Sequence, residues 1–104
     1  MAEIIGFSCN NNGGDLILPN IDGITATIKL GLKDAGISAE SVDFVSAHAT
    51  GTKMGDVIEA QAMGRVYGKS PLVTGLKSYM GHTMGSCGAI EMMITANNIR
   101  RILR

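Results

Sequence analysis

The chain reads as an α/β fold, about three strands alternating with three helices, and three observations predict it. Short apolar runs of strand composition alternate with longer segments whose apolar residues recur at helical spacing, the order expected of crossover units on a parallel sheet. Glycines, Gly36 and Gly68 above all, stand where the helical segments must stop. The only two histidines open or close glycine-containing turns beyond apolar runs, in His48-Ala49-Thr50-Gly51-Thr52 and Lys77-Ser78-Tyr79-Met80-Gly81-His82.

Taken in order, Glu3-Ile4-Ile5-Gly6-Phe7-Ser8 is expected as the first strand, halted by Asn10 to Asp15, residues suited to turns and left-handed conformations. After Pro19, Asp22 is expected to cap a helix whose Ile24, Ile28 and Leu32 recur every four positions, with Gly36 ending it. Val42 to Ala47 is the second strand, apolar enough for a parallel sheet covered on both faces, and His48 lies at its carboxyl end. Asp56 is expected to start a helix carrying Val57, Ile58, Ala62 and Val66, closed by Gly68, and Pro71 to Gly75 is the third strand. The last helix runs from Ser86 to about Arg104, where Arg100, Arg101 and Arg104 complement its dipole. Right-handed crossovers follow from this alternation, and ligands in such folds gather beyond the carboxyl ends of the strands, so both histidines are expected at one rim.

Composition narrows the function classes. With 104 residues the chain fits one small domain of thin stability margin. Nine basic and nine acidic residues give a net charge of zero and lie scattered, leaving no footprint for nucleic acid or an anionic membrane. Cys9 and Cys87 lack close spacing and no secretory segment precedes them, so no disulfide and a cytoplasmic location are expected. The stretch from Met84 to Ile99 is broken by Glu91, Asn97 and Asn98 and is too short to span a bilayer. No pair among the histidines and cysteines has metal-ligand spacing, so no metal is expected. Gly81 to Gly88 lacks the Gly-Lys-Ser/Thr ending of a phosphate loop.

Each candidate residue also has a plainer reading. A single histidine after a strand is more often structural, Lys77 alone would be a solvated charge, and Glu91 could face solvent. Thr50 and Thr52 alone would be turn caps. Cys87 near His82 is conceivable as a Cys–His pair, but a small packed hydrophobe is the favoured reading, as it is for Cys9. The two histidines together, inside matching turns, reverse the odds.

Those turns carry a resemblance. Val42-Asp43-Phe44-Val45 leading to His48-Ala49-Thr50-Gly51-Thr52, Gly55-Asp56 with Glu59-Ala60-Gln61-Ala62, and Lys77-Ser78 and Gly81-His82 with Gly85, Gly88-Ala89 and Glu91 resemble the β-ketoacyl-acyl-carrier-protein synthases, from Glu3 to about Ile99. These are condensing enzymes of fatty-acid and polyketide synthesis, of thiolase fold. The resemblance implies a truncated thiolase-like half-domain over residues 1–104, matching the first part of the family's carboxyl-terminal half. The nucleophilic cysteine belongs to the other half, so the isolated chain is expected to be inactive.

By this resemblance the reaction is a decarboxylative Claisen condensation of an acyl thioester with a malonyl-carrier thioester. His48 and His82 are then the imidazole donors to the thioester oxygen. Lys77 is the site lysine, its positive charge keeping His82 neutral, and Glu91 is the buried glutamate that balances it. Thr50 and Thr52 match hydroxyls that bind the amides of the phosphopantetheine arm. No cofactor is expected on this chain itself; the partners implied are acyl carrier protein, the rest of the synthase and, in full-length form, a second copy. The alternative is a non-catalytic module that binds a carrier or synthase partner, as a chain-length factor does. The family usually has glycine where Ala49 stands, a small change if Ala49 keeps φ negative. Leu76, Tyr79 and Met80 replace common threonine, methionine and threonine, and are expected to alter the pocket.

Overall fold

The computed structural model describes residues 2–68 and 71–102. In order they form helix α1 (Ile21–Ala35), strand β1 (Phe44–Ser46), helix α2 (Lys53–Tyr67), strand β2 (Leu72–Thr74), a single helical turn α3 (Lys77–Met80) and helix α4 (Cys87–Ile102). Short 3-10 turns occupy Ala39–Ser41 and Met84–Ser86. β1 and β2 pair in parallel with Phe44 opposite Leu72, Val45 opposite Val73 and Ser46 opposite Thr74. Leu72 N–H to Asp43 O (3.0 Å) and Ala47 N–H to Thr74 O (2.8 Å) extend the pairing at either end. Parallel neighbours need a crossover, and α2 supplies it.

The stops of α1 and α2 fall at Gly36 and Gly68, where the sequence puts them, and the starts do not. Gly36 ends α1 in the left-handed conformation (φ 67°), its N–H reaching the carbonyls of Leu32 and Lys33. α1 is capped by Asn20 rather than Asp22: the Asn20 side-chain oxygen accepts the N–H groups of Asp22 (2.8 Å) and Gly23 (3.3 Å). Asp22 instead occupies the first turn, where its charge complements the dipole, and pairs with Arg65 of α2 at 2.7 Å. α2 likewise begins before Asp56, because the Thr52 hydroxyl accepts the Gly55 N–H (3.2 Å). α4 runs from Cys87 with Arg100 and Arg101 in its last turn; Arg104 lies outside the described residues.

Of the three expected strands, Glu3–Ser8 is the correction: it forms no strand among the described residues. Its partners lie on α1 instead. The Phe7 N–H donates to the Asp34 carboxylate (2.8 Å) and the Ser8 hydroxyl to the Thr27 carbonyl (2.8 Å). Gly6 approaches so closely that a methyl group there would stand 2.7 Å from the Ala35 Cβ. A strand exists only where a neighbour completes its ladder, and this segment meets a helix.

The interior is small. Ala47, Ala62 and Cys87 are buried, together with the charged Lys77 and Glu91, while no large side chain among the described residues is fully enclosed. Leu72 is 72% exposed and Val73 46%. Since consecutive strand residues point to opposite faces, the expected two-sided cover of the sheet is incomplete around β2.

Candidate active site

Beyond β1 the backbone turns sharply, and carboxylates from α2 hold the turn. Glu59 accepts the His48 N–H on Oε1 (2.7 Å) and the Ala49 N–H on Oε2 (2.8 Å), while Asp56 Oδ1 accepts the Gly51 N–H (3.1 Å). Residues three apart share a helix face, so one face of α2 grips three successive parts of the turn. Thr50 and Thr52 bring their hydroxyl oxygens within 3.1 Å of each other while Thr52 also caps α2. Gly55 makes room for that cap, since a methyl group on it would lie 2.4 Å from the Thr52 Oγ1. Ala49 adopts φ 35°, inside the left-handed region, so the condition under which its methyl would be a small change is not met.

The second turn presents the other ring. Gly81 at φ 73° and Met84 at φ 52° fold the chain back so that the Met84 N–H donates to His82 Nδ1 (3.2 Å). Nδ1 is thereby an acceptor, which places the proton of the neutral ring on Nε2. The His48 and His82 rings meet edge to face with centroids 5.3 Å apart and planes at 84°. Both line one groove of about 740 Å³, with Thr50, Thr52 and Glu59 on the polar side and Ile24, Ile28 and Met54 on the apolar side.

Behind the first turn lies a buried ion pair. Lys77 Nζ stands 2.7 Å from Glu91 Oε1, their side chains only 3% and 11% exposed, and also donates to the His48 carbonyl oxygen. Burial pulls the Lys77 pKa down and is the largest single influence, yet the hydrogen bond and charge of Glu91, helped by nearby Cys87, together outweigh it. The net result is an ammonium held above its ordinary 10.5. Its contribution to stability is present below pH 10.5 and is lost as pH rises through the raised value.

All six residues singled out in the sequence, His48, Thr50, Thr52, Lys77, His82 and Glu91, thus meet at one place on the carboxyl side of the strands. Lys77 spends its bonds on Glu91 and the His48 main chain. Cys87 packs as a buried small residue with its Sγ 3.7 Å from Glu91 Oε1, whereas Cys9 is exposed and fills no core position. Leu76, Tyr79 and Met80 do not line the groove, so the expected change of pocket shape does not arise from them. Glu59 and Asp56 stand in the sequence as part of the motif and as a helix start, without a role at the site; the signal for that role is a pair of acids, three apart, just inside a helix that follows a strand-end turn. Among the described residues no group of three or more His, Cys, Asp or Glu is arranged for a metal, and no helix is long and apolar enough to cross a membrane.

Comparison with known proteins bears on this geometry. Residues 1–102 match the family model described as the carboxyl-terminal domain of β-ketoacyl synthase. The chain is 38% identical over 104 residues to 3-oxoacyl-[acyl-carrier-protein] synthase 2 of Coxiella burnetii, covering 95% of this chain and 25% of that protein. The crystal structure of a β-ketoacyl synthase from Burkholderia phymatum superposes with a TM-score of 0.91 at 40% identity, over 94% of this chain and 24% of that one. The ishigamide ketosynthase/chain length factor gives 0.84 at 41% identity, over 88% and 23%. The chain spans about a quarter of the length of the curated relatives it matches, and the likeness bears out the expected α/β, thiolase-like half-domain.

Proposed function

This chain belongs to the β-ketoacyl synthase family, and from that premise we propose that it forms the histidine-bearing part of a 3-oxoacyl-[acyl-carrier-protein] synthase, a partial carboxyl-terminal domain spanning residues 1–104. The observation that carries the reading is the edge-to-face meeting of His48 and His82 at 5.3 Å over a groove walled by Thr50 and Thr52. Two imidazoles converging from separate turns suit an oxygen that acquires negative charge, because donors set in place before the reaction need no reorganisation during it.

In the proposed reaction the carbon–carbon bond to the malonyl carboxylate breaks, carbon dioxide leaves, and the electron pair moves through the α-carbon to the thioester oxygen. His82 Nε2–H and the His48 ring donate to that oxygen. The α-carbon then attacks an acyl thioester carbonyl held on a cysteine supplied by the rest of the synthase; the new carbon–carbon bond forms and the cysteine thiolate departs. Lys77 and Glu91 act from behind: the ammonium fixes the His48 carbonyl, and the carboxylate neutralises a cation that would otherwise be buried alone. Thr52 Oγ1 already accepts the Gly55 N–H, so the Thr50–Thr52 pair keeps one hydroxyl proton for a carbonyl of the phosphopantetheine arm.

The partners in this proposal are an acyl carrier protein, the remaining half of the synthase and a second copy of the complete protein, in the cytoplasm. The chain itself binds no cofactor; its substrates arrive on the carrier's phosphopantetheine. A second reading, a carrier- or synthase-binding subunit without chemistry, is favoured only by the likeness to the ishigamide ketosynthase/chain length factor. The deciding experiment joins this chain to the cysteine-bearing remainder of its synthase and follows carrier-bound products by mass spectrometry. A 3-oxoacyl product from acyl and malonyl carriers, absent with the chain alone, supports the enzyme; binding of the carrier with no product supports the second reading.

A further inference from the structure

Gly75 is not among the glycines of positive φ, so its backbone could be adopted by any residue. It is glycine for another reason. A methyl group on Gly75 would stand 2.6 Å from the Ala49 Cβ, against an ordinary contact of 3.4 Å or more. Ala49 in turn keeps its methyl despite φ 35°, where an L-residue pays on the order of 1–2 kcal/mol that glycine does not. The two residues sit immediately beyond the last sheet bond, Ala47 N–H to Thr74 O, one leading out of β1 toward the first histidine turn and the other out of β2 toward Lys77 and the second.

We infer that the Ala49 methyl seated in the notch of Gly75 is a positioning contact that sets the distance between the two histidine turns. The inference rests on the proposed condensing chemistry. His48 is held by three tethers: Glu59 on its amide, Lys77 on its carbonyl, and this contact on the next residue. The first two fix the turn to α2 and to the buried pair. Lys77 also belongs to the segment that carries the second turn, but it reaches His48 through a long side chain, whereas the third tether is a close contact against the Gly75 backbone and so acts on the separation of the rings rather than on the turn's existence.

The magnitude follows from the shortfall. Restoring ordinary contact around a Gly75→Ala methyl requires the turns to part by about 0.8 Å (3.4 − 2.6); a misplacement near 1 Å at a reacting centre costs about 100-fold in rate. In the complete synthase Gly75→Ala is expected to lower kcat for malonyl decarboxylation about 100-fold with KM for the malonyl carrier nearly unchanged. Ala49→Gly relieves φ strain while opening a void, so its unfolding midpoint should hardly move, while kcat falls.

The double variant Ala49→Gly with Gly75→Ala returns one methyl to the contact from the opposite side and removes the strain. It is expected to recover kcat to within about threefold of wild type. A double variant no faster than Gly75→Ala, or a Gly75→Ala variant of full activity, overturns the inference. Unfolding midpoints of the four proteins separate the two claims. Coupling in the midpoints with no decarboxylation even by the wild type would overturn the functional reading and leave the packing relation intact, whereas additive midpoints would remove the packing relation itself.

Discussion

Glu91→Gln is the most informative single perturbation of the buried pair. Glutamine preserves shape and one acceptor oxygen but removes the charge facing Lys77, whose side chain is 3% exposed and whose amine lies 2.7 Å from Glu91 Oε1. Stripping one partner from such a pair costs about 3–5 kcal/mol, because the remaining charge is left desolvated. A domain of this length has about 5–15 kcal/mol in total, so the variant should sit near its limit. The pH dependence gives the sharper test. In the wild type the Lys77 pKa is raised above 10.5, so its contribution persists up to that pH and is lost as pH climbs through the raised value. Without the Glu91 charge only the smaller influence of Cys87 opposes burial, so the Lys77 pKa is expected to fall below 10.5. The penalty is then greatest below that depressed value and is relieved as pH rises toward 10.5. Urea unfolding followed by circular dichroism between about pH 7 and about pH 11 should show the gap between the two proteins narrowing as pH rises. A constant gap, or a loss under about 1 kcal/mol as for an exposed pair, would refute the reasoning.

Other expectations follow from single contacts. Glu59→Gln leaves one oxygen where two accept the His48 and Ala49 amides, and hydrogen exchange at those two amides should accelerate by at least tenfold, since hydrogen bonds to charged groups contribute roughly 1.5–3 kcal/mol; unchanged protection would remove Glu59 from the turn. Thr52→Val should cost about 0.5–2 kcal/mol through loss of the α2 cap, read from the urea midpoint, and an unaltered midpoint would contradict the cap. Leu16 and Ile17 are 99% and 84% exposed, and the isolated chain should self-associate through such surfaces. Changing both to serine should shift sedimentation toward monomer, and a wild-type chain that stays monomeric at all concentrations would count against that use of the surface.

How much of this was legible in the sequence depended on whether the deciding physics was local. Gly36 was readable because a left-handed stop is a property of one residue, and the parallel pairing of β1 with β2 followed from two apolar runs around a helix-length spacer. The helix starts were misjudged because Asn20 and Thr52 compete with Asp22 and Asp56 for the same free amides, and the winner is fixed by where the chain enters. Glu3–Ser8 has strand composition, but pairing depends on a neighbour that composition does not describe. At the site, the motif order brought the six residues into view, whereas the Glu59 clamp and the positive φ of Ala49 arise from contact between segments and were invisible. Burial of Glu91, left open by its place on an apolar helix and implied only by the resemblance, is explained by its pairing with the buried Lys77.

The central claim is that His48 and His82 act together on one oxygen. It is tested most directly by malonyl-carrier decarboxylation in the complete synthase bearing His48→Ala or His82→Ala, with circular dichroism confirming the fold. Loss of one donor at a developing oxyanion costs about 100- to 1,000-fold in rate, and each variant should fall by that order with carrier affinity nearly intact. Normal decarboxylation by either folded variant would contradict the account.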